Sequence, residues 1–166
     1  IATLGESLAL FHEWTSFSAL DDEALGPFGA VERDRFAVLE VDANGRQRRS
    51  EFFAPNHLGD AIVRLYERHA ELLPDGPVRA RAMTTARSVG DVLIATPDVD
   101  RMATVFAPSV EFADHRSIGL GSADGAEDLL RTMRSYSDLT EGAALRVDEV
   151  LSLQFDALLL RRSDSG

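Results

Sequence analysis

The sequence predicts an α+β fold: a mainly antiparallel sheet with helices laid against one of its faces, assembled from two half-domains. Three observations carry that reading. Apolar and polar residues alternate through long stretches near both ends of the chain. Pairs of such stretches flank residues suited to tight turns, and intervening segments carry apolar residues at helical spacing. With 166 residues, 45% of them hydrophobic and 27% charged, the chain has enough apolar surface to bury a core.

Residues 1–17 alternate Leu8, Leu10, His12 and Trp14 on one face with Ala9, Phe11 and Glu13 on the other, the spacing of a long strand arm. Residues 18–32, with Asp21, Asp22, Gly26, Pro27 and Gly29, read as a connection holding at most one helical turn. A hairpin follows, in which residues 36–41 and 47–53 flank Asp42-Ala43-Asn44-Gly45, where Asn-Gly suits a tight turn. Asn56 then caps a helix with the inward stripe Leu58, Ile62, Leu65, His69 and Leu72, ending near Pro74. The Asp75-Gly76-Pro77 turn marks the main boundary, dividing the chain into residues 1–76 and 77–166. Helical spacing resumes over 79–94 through Ala82, Met83, Ala86, Val89, Gly90 and Leu93. Thr96-Pro97-Asp98 opens a short helix through Met102 to Phe106, and a strand is expected over 110–116. Residues 122–137 are expected to be helical, with Asp124, Glu127 and Asp128 at the positive end. Residues 144–153 and 155–162 make a last hairpin, its second strand apolar enough for burial on both faces.

Composition excludes several chemistries. The absence of cysteine removes disulfides, thiolate nucleophiles and cysteine-based zinc sites. All seventeen basic residues are arginine, so Schiff-base chemistry, pyridoxal phosphate attachment and a Walker-type phosphate loop are excluded. A net charge of -11 disfavours nucleic acid. Without a long apolar run or a basic-then-apolar leader, the chain is read as cytoplasmic, with no membrane contact expected. Neither helix carries a His-Glu-x-x-His spacing, no Gly-x-Ser-x-Gly elbow occurs, and neither metal nor cofactor is expected. Gly119-Leu120-Gly121 reads as a turn. Arg46, Arg48 and Arg49 read as a solvated strand edge, with an anion clamp as the alternative.

Residues 151–160 match residues 2–11 in pattern, at an offset of 149 residues (151 − 2). A match at that distance is a domain period, so the chain is read as running from the middle of one unit to the middle of the next. The first residue is not Met, which suits an excised fragment.

Residues 96–162 resemble the nuclear transport factor 2-like superfamily, in particular its SnoaL-like members. The carrying residues are those from Asp98 to Arg116, including Phe106-Ala107-Pro108 and Ala113-Asp114-His115-Arg116, then Gly119, Gly121 and Gly125-Ala126-Glu127. The first half looks like the family's C-terminal portion: a long strand, the hairpin turned by residues 42–45, and Glu51-Phe52-Phe53-Ala54-Pro55 leading into a helix. The resemblance implies a cone, a strongly curved sheet with helices on its concave face, here in permuted order and closed within one chain or across two. Tandem units of this flavour also look like parts of large actinobacterial regulatory proteins, and an arginine-only basic set suits a GC-rich genome.

The resemblance further implies an apolar pocket and places Asp114 at the strand carboxylate that serves as general base in the ketosteroid isomerase branch. Desolvation in such a pocket would raise its pKa. Regular strand alternation puts Asp114 and His115 on opposite faces, so only one of them can be the base. The branch's acid partners would fall near Gly90 and Ala37, neither of which can donate through a side chain. The structural alternative for Asp114 is a carboxylate paired with Arg116 or bonded to the glycine loop. His12 and Trp14 are candidate contacts for a planar ligand, with Phe36, Phe53, Phe112 and Arg116 completing the ligand-binding set. His57 and His69 read as loop and boundary residues.

The first functional expectation is a noncatalytic SnoaL-like small-molecule-binding or interaction module of a larger intracellular regulatory protein. It takes a hydrophobic small molecule and forms a homodimer through the sheet. The alternative is an isomerase, cyclase or hydratase acting on a hydrophobic carbonyl compound, with Asp114 as base and His115 or His12 assisting. A purely structural dimerisation domain would instead fill the pocket with Phe36, Phe53, Phe112 and Trp14.

Overall fold

The computed structural model describes residues 2–17, 20–22, 26–28, 30–93, 99–116, 119–139 and 144–165. Its first half is built on strands β1 (Ala2–Leu4), β2 (Leu8–Phe17), β3 (Leu20–Asp22), β4 (Gly26–Phe28), β5 (Val31–Val41) and β6 (Gln47–Phe53). Four of them form an antiparallel sheet in the order β1-β2-β5-β6. The segment read as a connection instead carries β3 and β4, a separate antiparallel pair that extends the β2–β5 arm.

The β5–β6 hairpin turns where Asn-Gly predicts it. Gly45 has φ 73°, a left-handed value that a side chain would resist. Asp42 Oδ1 accepts from the backbone N–H of Asn44 and of Arg46, both at 2.9 Å, an Asx arrangement that fixes the turn locally. Register then follows: Leu10 faces Val38 across β2 and β5, and Phe36 faces Phe53 across β5 and β6.

Helix α1 (Leu58–Leu72) covers the sheet face bearing Leu8, Leu10 and Val38. It starts after His57, not on an Asn56 cap, and no side chain caps its first turn. His57 Nδ1 lies 2.5 Å from Asp60 instead. Its buried residues are Leu58, Ala61, Ile62, Leu65, Tyr66 and Ala70, a wider face than the predicted stripe, and Leu72 is exposed. The physical reason is that α1 packs on the sheet, on helix α2 (Pro77–Leu93) and on strand β9 (Ala144–Leu153), so more than one stripe must be apolar. A buried Leu or Ile here is worth about 2 kcal/mol.

The turn at residues 75–77 folds α2 back along α1. Gly59 near the start of α1 meets the Leu93 carbonyl at the end of α2, and Gly90 meets Val63, so the pair is antiparallel and close. Strand β9 pairs with β10 (Leu158–Ser165). Val147, Val150, Leu153, Leu158 and Leu160 pack against the core of the first half. The Tyr66 hydroxyl donates to the Gln154 carbonyl at 2.6 Å. Strand β10 is buried on one face only, because Leu159 points away from that core and is exposed.

The remaining elements are α3 (Val99–Met102), β7 (Glu111–Ala113), β8 (Ser122–Asp124) and α4 (Ala126–Leu139). The Thr96-Pro97 helix start lies outside the described residues. The strand expected over 110–116 ends at Ala113, because the Asp114 carboxylate accepts from the Arg116 backbone N–H and turns the chain. The helix expected from Ser122 begins at Ala126, since Ser122–Asp124 pairs with β7 and Gly125 breaks the run at φ 84°. Met102, Ala123, Leu129 and Leu130 are buried here as a small core of their own. The architecture is therefore α+β with antiparallel strand pairing and, among the described residues, four helices.

Candidate functional site

Asp114 sits just past β7 with its side chain 6% exposed, closed in by its own loop. Arg116 Nε donates to both carboxylate oxygens at 2.9 and 3.0 Å, and Nη2 donates to Oδ2 at 2.5 Å. The backbone N–H of Leu120 adds a bond to Oδ2 at 2.9 Å, and Asp114 N–H donates to the Gly121 carbonyl at 2.8 Å. A β-carbon at Gly119 would come within 2.5 Å of Asp114 Cγ, so only glycine lets the loop close over the carboxylate. The Arg116 guanidinium first, then the Leu120 and Arg116 N–H groups, hold this carboxyl well below the usual carboxylate range. That is the reverse of the upward shift expected in an apolar pocket. His115 is exposed beside it, while Phe112 pairs with Ala123 across β7 and β8.

His12 and Phe36 stack across β2 and β5 with ring centroids 4.8 Å apart, and His12 Nε2 lies 2.5 Å from Asp34 Oδ1. Trp14, one step further out on the arm, is 65% exposed. Of the two positions matched to acid partners, Ala37 is fully buried in β5, and Gly90 lies against Val63 in the α1–α2 seam.

A concavity runs along that seam, a groove of ≈ 840 Å³. Phe53, Val63, Ala86 and Leu93 supply apolar floor, and Gly90 keeps it open by having no side chain. Asp60, Glu67, Arg87, Asp91 and Arg101 are among the charged residues lining it, with Arg101 bonded to Asp91 at 2.7 Å. Among the described residues Arg87 makes no ion pair. Of the predicted ligand-binding set only Phe53 lines the groove. Asp114, His115, Phe112 and Arg116 line neither the groove nor a smaller cavity beside Tyr66.

One wall of the groove is fixed by a charge network between α1, β5 and β6. Glu40 on β5 is 2% exposed and accepts from Arg68 Nε of α1 at 2.7 Å, with Arg48 3.6 Å away. Arg64, which lines the groove, donates to Glu51 of β6 at 3.0 Å and to Glu71 at 3.0 Å, while Arg68 also reaches Glu71 at 2.7 Å. Arg49 bonds Glu51 at 2.7 Å, so Arg48 and Arg49, exposed on edge strand β6, also touch this network. Arg68 holds the Glu40 carboxyl below its ordinary range, and Arg64 with Arg68 holds that of Glu71 down to about 2. The seam's only sequence signal is the pair of small residues Ala86 and Gly90, four apart on one face of α2.

Among the described residues no group of three or more His, Asp or Glu is placed to hold a metal ion. Among the described residues no helix is long and apolar enough to cross a membrane. Comparison with protein-family models, with curated proteins and with solved structures finds no match for this chain.

Proposed function

We infer that this chain is a noncatalytic SnoaL-like module of a larger intracellular regulatory protein, binding a hydrophobic small molecule in the groove between α1 and α2. The observation that carries the reading is the separation of the two candidate sites. The groove offers apolar floor and volume of the size ligand sites use, while Asp114 lies elsewhere with its lone pairs engaged by Arg116 and Leu120. A carboxylate so satisfied is a poor base at neutral pH, because proton uptake would break charge-assisted bonds. The isomerase, cyclase or hydratase alternative is not adopted for that reason.

The cone belongs to the same proposal, with β1-β2-β5-β6 as one wall and α1 laid on it. The match between residues 2–11 and 151–160 supports a repeated unit. Both segments fold as the tight connection of an antiparallel hairpin, three residues between Leu4 and Leu8 and four between Leu153 and Leu158, so the pairing is shifted by one residue against the repeat offset. A homodimer through the sheet's other face is supported by exposed Phe52, which shares a row with Phe11 and Ala37.

The test is titration with Nile red, a neutral apolar probe. Saturable binding is expected, lost in Gly90→Phe, weakened severalfold in Met83→Asp and unchanged in Asp114→Asn. Absence of saturable binding, or binding that survives Gly90→Phe and Met83→Asp but not Asp114→Asn, would overturn the reading.

A further inference from the structure

On another face of the same two helices lies a second cavity, ≈ 260 Å³, which shares no lining residue with the groove. Leu73 and Val78, flanking the α1–α2 turn, supply aliphatic wall, and Tyr66 and Phe155 supply aromatic wall. Phe155 sits on the β9–β10 turn and is 63% exposed, a large apolar side chain held over the opening. Its turn is tied to α1 by the bond from the Tyr66 hydroxyl to the Gln154 carbonyl.

Two polar groups in this lining have no partner in the fold. Among the described residues the side chains of Arg81, which is exposed, and of His69, which is half-buried, make no hydrogen bond or ion pair. Arg81 is exposed and His69 half-buried, so a ligand carboxylate would take the place of water on both side chains. The Tyr66 hydroxyl is already committed, and Thr85 donates to the Arg81 carbonyl at 3.2 Å, so the free capacity is that of donors: a guanidinium and an imidazole N–H. Burial lowers the His69 pKa, which leaves the imidazole neutral at pH 7 and the site with one full positive charge. Asp156 lies close enough for its charge to add to the effect of burial in raising the Tyr66 pKa, which sets the site against a dianion.

We propose that this cavity binds a monocarboxylate with an aromatic or aliphatic body, the carboxylate on Arg81 and His69 and the body against Tyr66, Leu73, Val78 and Phe155. One guanidinium matches one carboxylate in charge and geometry. The volume suits a body of about six to ten carbons. The site stands whether or not the groove is a ligand site.

The experiment is calorimetric titration of the full 166-residue chain with 4-phenylbutyrate, and with neutral 4-phenylbutyramide as its isostere. The acid should bind one to one, and about tenfold more tightly than the amide, as loss of a charged hydrogen bond implies. Arg81→Gln should bring acid and amide to the same affinity, Phe155→Ala should weaken both, and Arg131→Gln on distant α4 should change neither. Circular dichroism of each variant separates loss of the site from loss of the fold. The proposal is overturned if acid and amide bind the wild-type chain equally, if Arg81→Gln leaves their difference intact, or if no heat of binding is seen up to about 10 mM.

Discussion

Two regions of this chain reach order by different means. The sheet with α1, α2 and β9–β10 shares one core in which Leu4, Ile62 and Leu65 are almost fully enclosed, braced by the ion network from Glu40 through Arg68 and Glu71 to Arg64 and Glu51. Among the described residues of 99–139 only Met102, Ala123, Leu129 and Leu130 are buried, and the best-satisfied polar group there is Asp114, bonded within six residues of itself. In the first region long-range burial holds a concavity open between helices. In the second, local hydrogen bonds close a loop over a carboxylate. A family-based expectation looks for function in the second, whereas the groove lies mainly in the first.

The sharpest way to break this contrast is to remove Glu40. Glu40→Ala leaves Arg68 part-buried with only Glu71, and should cost about 3 kcal/mol of global stability in denaturant unfolding. A cost confined to β5 would mean that the network does not brace the whole core. Next in size is Leu129→Ala, at about 2 kcal/mol. Hydrogen exchange should accelerate across 122–139 while 58–72 stays protected, and equal acceleration in both would merge the two cores. Gly119→Ala should cost about 1 kcal/mol by pushing a methyl into the Asp114 carboxylate, read as loss of protection at the Leu120 and Arg116 amides.

The smallest effect is on the acid limb. Arg64 and Arg68 depress the Glu71 pKa to about 2 in the folded chain, against an ordinary value of 4.5. The unfolded chain therefore takes up the proton first. The stabilisation is complete above pH 4.5 and fades as pH falls towards 2. Glu71 is 41% exposed, so the contribution stays below about 1 kcal/mol. Glu71→Gln should flatten the stability profile over that window, and an unchanged slope there would contradict the pairing.

What the sequence made legible follows the range of the forces involved. The Asp42–Gly45 turn, the paired strands around it and the existence of α1 rest on neighbours in sequence, and each lies where the pattern places it. The full inward face of α1 was not readable, because Ala61, Tyr66 and Ala70 are buried by partners that arrive from elsewhere in the chain. Alternation carried β7 too far, since it takes no account of a side chain that turns the backbone after Ala113. At the candidate site, the pairing of Asp114 with Arg116 was open to view as an alternative, and of the expected ligand contacts Phe53 lines the groove. The groove was not legible. It exists because α2 folds back on α1, with Gly59 and Gly90 in the seam, and the small pair Ala86 and Gly90 hints at close packing without saying which helix fills it.

The most direct test is hydrogen–deuterium exchange with and without saturating Nile red. Protection gained over 60–71 and 83–93, with 110–121 unchanged, is the result predicted for a ligand seated between α1 and α2. Protection gained at 110–121 alone would return the site to Asp114 and contradict the account.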